Sequence, residues 1–286
     1  MTMLISFDIQ NLIDAAFAED VMFGDPTTDV LISPDLAGRA ALVTRDSGVL
    51  AGIDLATAVF QRFDPSLRTK ILTPDGSRVS PGDRLANVSG SVASILKAER
   101  TAVNFLQHLS GVASETRRYV DAVSGLHAKI VDTRKTTPGL RKLEKYAVTM
   151  GGGQNHRQNL ADGILIKDNH IEAMALQGLN IGDVVKRANA RASHTIKVEI
   201  EVDTIPQLEE VLDAGADLVL LDNMSTEQMR KAVEITDGRA VLEASGGITL
   251  GTVRAIAETG VDIISVGALT HSAPAMNVSL DMEIDG

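Results

Sequence analysis

Six side chains stand out by type and placement: Arg100, Arg134, Lys135, His156, Arg157 and Lys167. Arg134 and Lys135 follow the apolar run AKIV, and Lys167 follows GILI. A guanidinium grips a carboxylate or phosphate through a two-pronged fork, whereas an ammonium acts as a mobile point charge. Both kinds together suit a ligand with several anionic groups. Two acids, Glu201 in KVEIEVD and Asp222 in LVLLDN, end similar runs. Carboxylates set among bases hold Mg²⁺, directly or through water, or accept hydrogen bonds from sugar hydroxyls. Glu199 shares the face of Glu201 by the two-residue strand period, and we expect it lower in the strand, neutralising an interior Lys or Arg. Loops in EASGG (Ser245, Gly246) and SVGAL (Gly267) follow the last two runs, where backbone N–H groups suit a phosphate. GGGQNHR at 151–157 lacks nucleotide-binding spacing and reads as a lead-in to His156 and Arg157.

Taken singly, each of these has an ordinary structural use, as a surface ion pair, a turn or a cap. Arg100, Asn104 and His108 form a polar line along a helix, which also describes a solvated face. GDPTTD at 24–29 reads as a turn with capping residues. Charge is nonetheless concentrated. Between Arg100 and His170 there are eleven Lys and Arg against six Asp and Glu, although the whole chain carries −11.

The elements that must position these residues are legible from periodicity. Residues 8–20 have helical spacing, then GRAALVTR, SGVLAGI, TKILTPDGSRV and DRLANVSGSV form short β-like runs around a helical IDLATAVFQRF. One long helix, or two abutting at Gly111, covers about residues 94–123. Beyond residue 128, six β-branched runs alternate with helical segments: 128–133, 162–169, 195–203, 216–223, 240–247 and 261–269. Near-continuous apolar strands alternating with helices predict a parallel sheet covered by helices, and the number of units favours an α/β barrel over an open sheet. Polar groups at the end of every run then converge on one face, where barrels carry their active sites.

Composition narrows the function. At 286 residues with 44% hydrophobic and 23% charged, the chain has material for an ample core. The acidic balance and an aromatic content of 3% exclude a general nucleic-acid or membrane-surface binder. With no cysteine, disulfides and thiolate zinc sites are excluded. No apolar run approaches the roughly 18 residues of a membrane span, and the acidic N-terminus does not read as a signal peptide, so a cytoplasmic protein is expected.

These motifs, in order, resemble the quinolinate phosphoribosyltransferase (decarboxylating) family. The stretches are EDVMFGDPTTD, ERTAVNFLQHLSGVAS, DTRKTTPGLRKLEKYAV, GGGQNHRQNLADGILIKDNH, EIEVD, LLDNM, EASGGI and ISVGALTHS. The positions between Arg157 and Asp162 depart from the usual family form, with Leu160 retained. The resemblance implies an N-terminal α/β sandwich over residues 1–111 and an incomplete, roughly six- or seven-stranded TIM-like α/β barrel over 112–271. It implies a tail, 272–286, that packs back on the first domain. The implied reaction joins quinolinate to phosphoribosyl pyrophosphate in a homodimer, or a hexamer built from dimers. Arg100 would complete the neighbouring site, while Arg134, His156, Arg157 and Lys167 would hold the dicarboxylate. Lys135 would face the phosphates and share catalysis with Glu201 and Asp222, which would also serve the ribose hydroxyls and Mg²⁺. Ser245, Gly246 and Gly267 would cradle the 5′-phosphate, with His271 nearby. A nicotinate-using relative, which needs fewer carboxylate-binding residues, and an anion-binding relative of the barrel are the competing readings.

Overall fold

The computed structural model describes residues 5–283. The chain divides into two compact units. The first holds the residues up to Arg117, Leu143–Gly152 and the segment from Ser272 onward, and the second holds Arg118–Lys142 and Gly153–His271. This differs from the expected break after residue 111. The helix there, α4 (Val92–Ala122), is a single unbroken element. Gly111 does not weaken it. A Cβ at Gly111 would run into the carbonyl of Pro274, so the glycine lets the tail lie against the helix backbone.

In the first unit, α1 (Phe7–Asp20) and α2 (Pro26–Leu31) precede the strands β1 (Ala37–Thr44) and β2 (Gly48–Val49), then α3 (Ile53–Phe63). Strands β3 (Arg68–Ile71), β4 (Arg78–Val79) and β5 (Arg84–Ser91) follow, and α4 leaves β5 directly. The expected turn at GDPTTD is a helix start, where the Asp25 carboxylate accepts from the Thr27 and Thr28 amides at 3.1 and 3.2 Å. The apolar run of β1 is buried on both faces from Ala40 to Val43. It sits in an antiparallel sheet of order β12-β1-β5-β3, in which β12 (Val278–Glu283) comes from the tail, with Leu280 opposite Leu42. Helix α3 buries Leu55, Ala56, Val59 and Phe60. Its N-terminal amides at Gly52 and Ile53 donate to half-buried Asp75, which also accepts from the Tyr146 hydroxyl at 2.7 Å. Tyr146 lies on α5 (Arg141–Met150).

The second unit contains all six expected strands: β6 (Lys129–Val131), β7 (Ile164–Ile166), β8 (Val198–Val202), β9 (Leu218–Asp222), β10 (Val241–Ser245) and β11 (Ile263–Ser265). Their order is β6-β11-β10-β9-β8-β7, all parallel. The first strand therefore neighbours the last, as a barrel requires and an open sheet does not. The ring is interrupted between β6 and β7. There a single residue, Gln154, bridges to Val131 on the free edge of β6, its N–H reaching the Ile130 carbonyl at 2.9 Å. The crossover helices are α6 (Asp168–Ala175), α7 (Ile181–Arg191), α8 (Ile205–Asp213), α9 (Thr226–Thr236), α10 (Val253–Ala257) and α11 (Ala268–His271). Asn180, Thr204 and Ser225 cap α7, α8 and α9 through their side chains. Alternation along each strand sends Ile200, Val219, Leu221, Leu242 and Ile264 outward to the helices, all fully or nearly fully buried. The other face is left to Glu199, Glu201, Asp222, Glu243 and Ser245. Among the described residues, no helix is long and apolar enough to cross a membrane.

Candidate active site

The C-terminal ends of the six strands carry the polar groups read from the sequence. After β6 the chain turns through Thr133–Lys135, and the Thr133 hydroxyl accepts from the Lys135 amide at 3.0 Å. Arg141 staples this turn to the next loop. Its Nε donates to Thr136 Oγ1 at 2.9 Å, Nη2 to the Arg134 carbonyl at 3.4 Å and Nη1 to the Gln158 carbonyl at 3.3 Å. The Lys135 carbonyl accepts from the Thr270 hydroxyl at 2.7 Å. An added Cβ at Gly267 would meet His271 Nε2 at 3.1 Å and Lys135 Cδ at 3.3 Å. Lys135, Gly267, Thr270 and His271 thus form one small basic corner, with a glycine backbone at its floor.

A second corner lies across β7, β8 and β9. Lys167, the N-cap of α6, places Nζ 2.9 Å from Glu201 Oε2. Asp222 accepts from the Asn223 side-chain amide at 2.8 Å. Asn223 has φ 51, and its N–H donates to the Ser245 carbonyl at 3.0 Å. Gly246, at φ 94, lies so close to Asn223 that a Cβ would overlap the amide oxygen. The β9 and β10 termini are therefore locked together at a position only glycine fits.

Between these corners lie the guanidiniums. Arg157 Nη1 donates to the Gly163 carbonyl at 3.2 Å. Burial holds the Arg157 pKa below the usual arginine range, the charge of Arg134 pushes it the same way, and Glu199 opposes both. Arg134 Nε is buried and makes no hydrogen bond among the described residues. Two half-buried cations kept within electrostatic reach, one with an unpaired N–H, match an anionic ligand rather than a structural ion pair.

His156, read from the sequence with the ligand-binding bases, is engaged here by two carboxylates. Its Nε2 lies 3.2 Å from Glu199 and 3.3 Å from Glu243, and its Nδ1 accepts the Arg157 amide at 2.8 Å. These two carboxylates, Glu199 foremost, push the imidazole pKa up to about 10. The Arg157 amide, aimed at Nδ1, works against a second ring proton. Glu199 does neutralise an interior base as expected, but that base is a histidine. Its own carboxyl is pushed up by burial and by Glu243, and held down by His156. A cavity of about 260 Å³ lies here, lined by Gln154, His156, Arg157, Lys197, Glu199 and Glu243 among others. Glu243 was visible only as an acid inside an apolar run. Asn223, Arg141 and Asp132 carried no signal beyond their polarity.

Arg100 belongs to the first unit. It is exposed on α4, and one and two turns on come Asn104, also exposed, and His108, whose Nε2 lies 2.9 Å from buried Glu144.

The comparisons agree with this geometry. Models described as the N-terminal and C-terminal domains of quinolinate phosphoribosyl transferase match residues 25–110 and 112–281. A nicotinate-nucleotide pyrophosphorylase [carboxylating] of Mycobacterium leprae is 41% identical over 281 residues, covering 96% of each chain. A probable nicotinate-nucleotide pyrophosphorylase [carboxylating] of Bacillus subtilis is 39% identical, covering 96% of this chain and 94% of its own. Among solved structures, NadC from Streptococcus pyogenes superposes with a TM-score of 0.93 at 40% identity, covering 99% of this chain and 100% of its own. The nicotinate-nucleotide pyrophosphorylase of Francisella tularensis does so at 0.91 and 39%, covering 96% of both chains. With both domain models matched in order and relatives this similar over nearly its whole length, the chain belongs to the quinolinate phosphoribosyl transferase family.

Proposed function

We propose that this chain transfers the phosphoribosyl group of phosphoribosyl pyrophosphate to quinolinate with loss of CO₂, giving nicotinate mononucleotide and pyrophosphate. One observation carries the reading to the residues. Arg134 and Arg157 are held close enough to repel, with a buried Arg134 N–H unpaired. A ligand with two adjacent carboxylates offsets both costs at once, and a monocarboxylate such as nicotinate offsets less.

Arg134, Arg157 and Lys167 hold the dicarboxylate, and His156 supports Arg157 from beneath. Lys135, Gly267 and His271 receive phosphate oxygens at the first corner, and Ser245 and Gly246 present backbone amides to the 5′-phosphate. Glu201 and Asp222 accept from the ribose hydroxyls. As the C1′–O bond to pyrophosphate breaks and the pyridine nitrogen bonds to C1′, positive charge grows on the sugar. Glu201 and Asp222 lower its energy electrostatically. The product pyridinium then draws the electron pair of the breaking C2–carboxylate bond toward the ring nitrogen, CO₂ leaves, and C2 takes a proton from solvent. Glu201 and Asp222, two carboxylates without nitrogen or sulfur donors, fit a hard divalent ion. Mg²⁺ held there would neutralise the departing pyrophosphate.

The working form is a homodimer, or a hexamer built from dimers, in which Arg100 completes a neighbouring site. Its exposure supports this, as do Met22, Phe23, Val30 and Leu31 in the same unit, which stand 63–96% exposed and call for a cover.

The test follows nicotinate mononucleotide and CO₂ from quinolinate, phosphoribosyl pyrophosphate and Mg²⁺, with nicotinate as the competing substrate. Equal amounts of both products support the reading. Turnover of nicotinate alone would replace it, and oxyanion binding without turnover would favour the anion-binding barrel.

A further inference from the structure

Buried acids are costly unless they do something specific. Glu199 and Glu243 are 5% and 2% exposed, and the transfer chemistry above uses neither directly. They stand on β8 and β10, with β9 between them, and both reach one atom, His156 Nε2. The rest of His156 is equally committed. Its backbone N–H donates to the buried Asp132 carboxylate at the end of β6 at 2.8 Å, and its Nδ1 accepts the Arg157 N–H. Two residues earlier, Gln154 is stitched to β6 by its N–H to Ile130 O and by the Asp132 N–H to its own carbonyl, at 2.9 and 3.1 Å. The segment 154–157 therefore fills the interrupted seam of the barrel. It is fixed to β6 by the Gln154 backbone bonds and by the Asp132 carboxylate, and the His156 ring ties it to β8 and β10.

A metal is the obvious alternative, since the ligand atoms of His156, Glu199 and Glu243 lie within 4.8 Å of one another. The ring argues against it. With two carboxylates against it, Nε2 carries a proton in the neutral and the charged ring alike, and has no lone pair for a cation.

We propose that Glu199 and Glu243 are positioning residues for Arg157: by clamping His156 from two strands, they fix the backbone from which the Arg157 guanidinium reaches the dicarboxylate. Glu199 adds a second contribution. Its charge acts on Arg157 against that of Arg134, so it holds the two guanidiniums in one site. The inference rests on the role given to Arg157 above.

The test compares steady-state kinetics and melting of Glu199→Gln, Glu243→Gln and Arg157→Ala enzymes. Glutamine keeps the length and one acceptor oxygen but removes the charge. For each Gln variant the KM for quinolinate should rise about tenfold, while that for phosphoribosyl pyrophosphate stays within about twofold. The double variant should cost less than the product of the single effects, because both act on one ring. A purely structural role would instead move both KM values together, or lower the melting temperature with neither moved, and either result overturns the proposal. Glu243→Asp keeps the charge but withdraws it from Nε2. It should show the same quinolinate-only rise if the Gln proteins do not fold, and an unchanged KM there is equally fatal. Arg157→Ala separates the two levels. If it leaves the quinolinate KM unchanged, both readings fall; if it raises it and the Glu variants do not, only the positioning role falls.

Discussion

Lys167 Nζ lies 2.9 Å from Glu201 Oε2, so the ends of two neighbouring parallel strands share one ion pair at the mouth of the barrel. The lysine side chain is 45% exposed and the glutamate 16%. A pair this open contributes about 1 kcal/mol or less to stability. Its value is therefore in the site, where it keeps the base from collapsing onto other acids and sets the carboxylate proposed above to face the sugar. Lys167→Ala should lower kcat/KM for quinolinate by a hundredfold or more, on the order of 3 kcal/mol, while changing unfolding free energy by about 1 kcal/mol or less. Parallel losses of stability and activity would mean the pair is a structural tie.

Gly246 makes a different prediction. It combines φ 94 with contact against the Asn223 amide. Gly246→Ala should destabilise by about 1–3 kcal/mol and raise the KM for phosphoribosyl pyrophosphate, because the loop proposed above to hold the 5′-phosphate must shift. Asn223→Gly in the same protein removes the overlap but not the backbone strain, so it should restore only part of the loss. Full rescue would show that the positive φ is not needed there.

Residues ending apolar runs were the informative ones, and the reason is energetic. A charge beside a buried strand is tolerated only with a partner or a task, so Arg134, Lys167, Glu201 and Asp222 could be picked out one by one. Parallel order followed from β-branched runs broken by helices, and α3 matches its run, Ile53–Phe63, to the residue. What sequence could not carry was pairing across distance. His156 reads as one more base for an anionic ligand because its carboxylate partners lie on strands 43 and 87 residues later. Gly111 reads as a helix breaker because the Pro274 carbonyl that needs its bare Cα arrives from the tail. The compact units divide elsewhere than the family domains, which meet between residues 110 and 112 as read from the sequence: α4 runs on past that point, and the units are set by contacts that periodicity does not encode.

The His156 cluster makes stability depend on alkaline pH. The histidine pKa is raised to about 10 by Glu199 and Glu243, so the folded protein holds a proton the unfolded chain releases near pH 6.5. That contribution is fully present below pH 6.5 and is lost as pH rises through about 10. Glu199, also raised, adds a loss in the same direction beginning at lower pH. Unfolding free energy of the wild-type protein should fall between pH 6.5 and 10 by on the order of a few kcal/mol, and His156→Gln should flatten that slope. If the Arg157 amide at Nδ1 dominates instead, the ring stays neutral across this range. Denaturant titrations at half-unit intervals would then show the same slope in both proteins.

Arg100 tests whether sites are shared between subunits. It sits in the first unit, exposed on α4, whereas Lys167 sits at the end of β7 in the second. If each site takes Arg100 from one subunit and Lys167 from the other, a heterodimer of Arg100→Ala and Lys167→Ala chains has one site lacking both and one site intact. Random exchange of equal amounts makes half the dimers heterodimers, so about a quarter of all sites should be restored. Mixing the two inactive proteins under conditions of verified subunit exchange should therefore recover about a quarter of wild-type activity, and each alone should recover none. If both residues served the site of their own chain, every site in the mixture would lack one of them, and the activity would stay at the level of the separate variants.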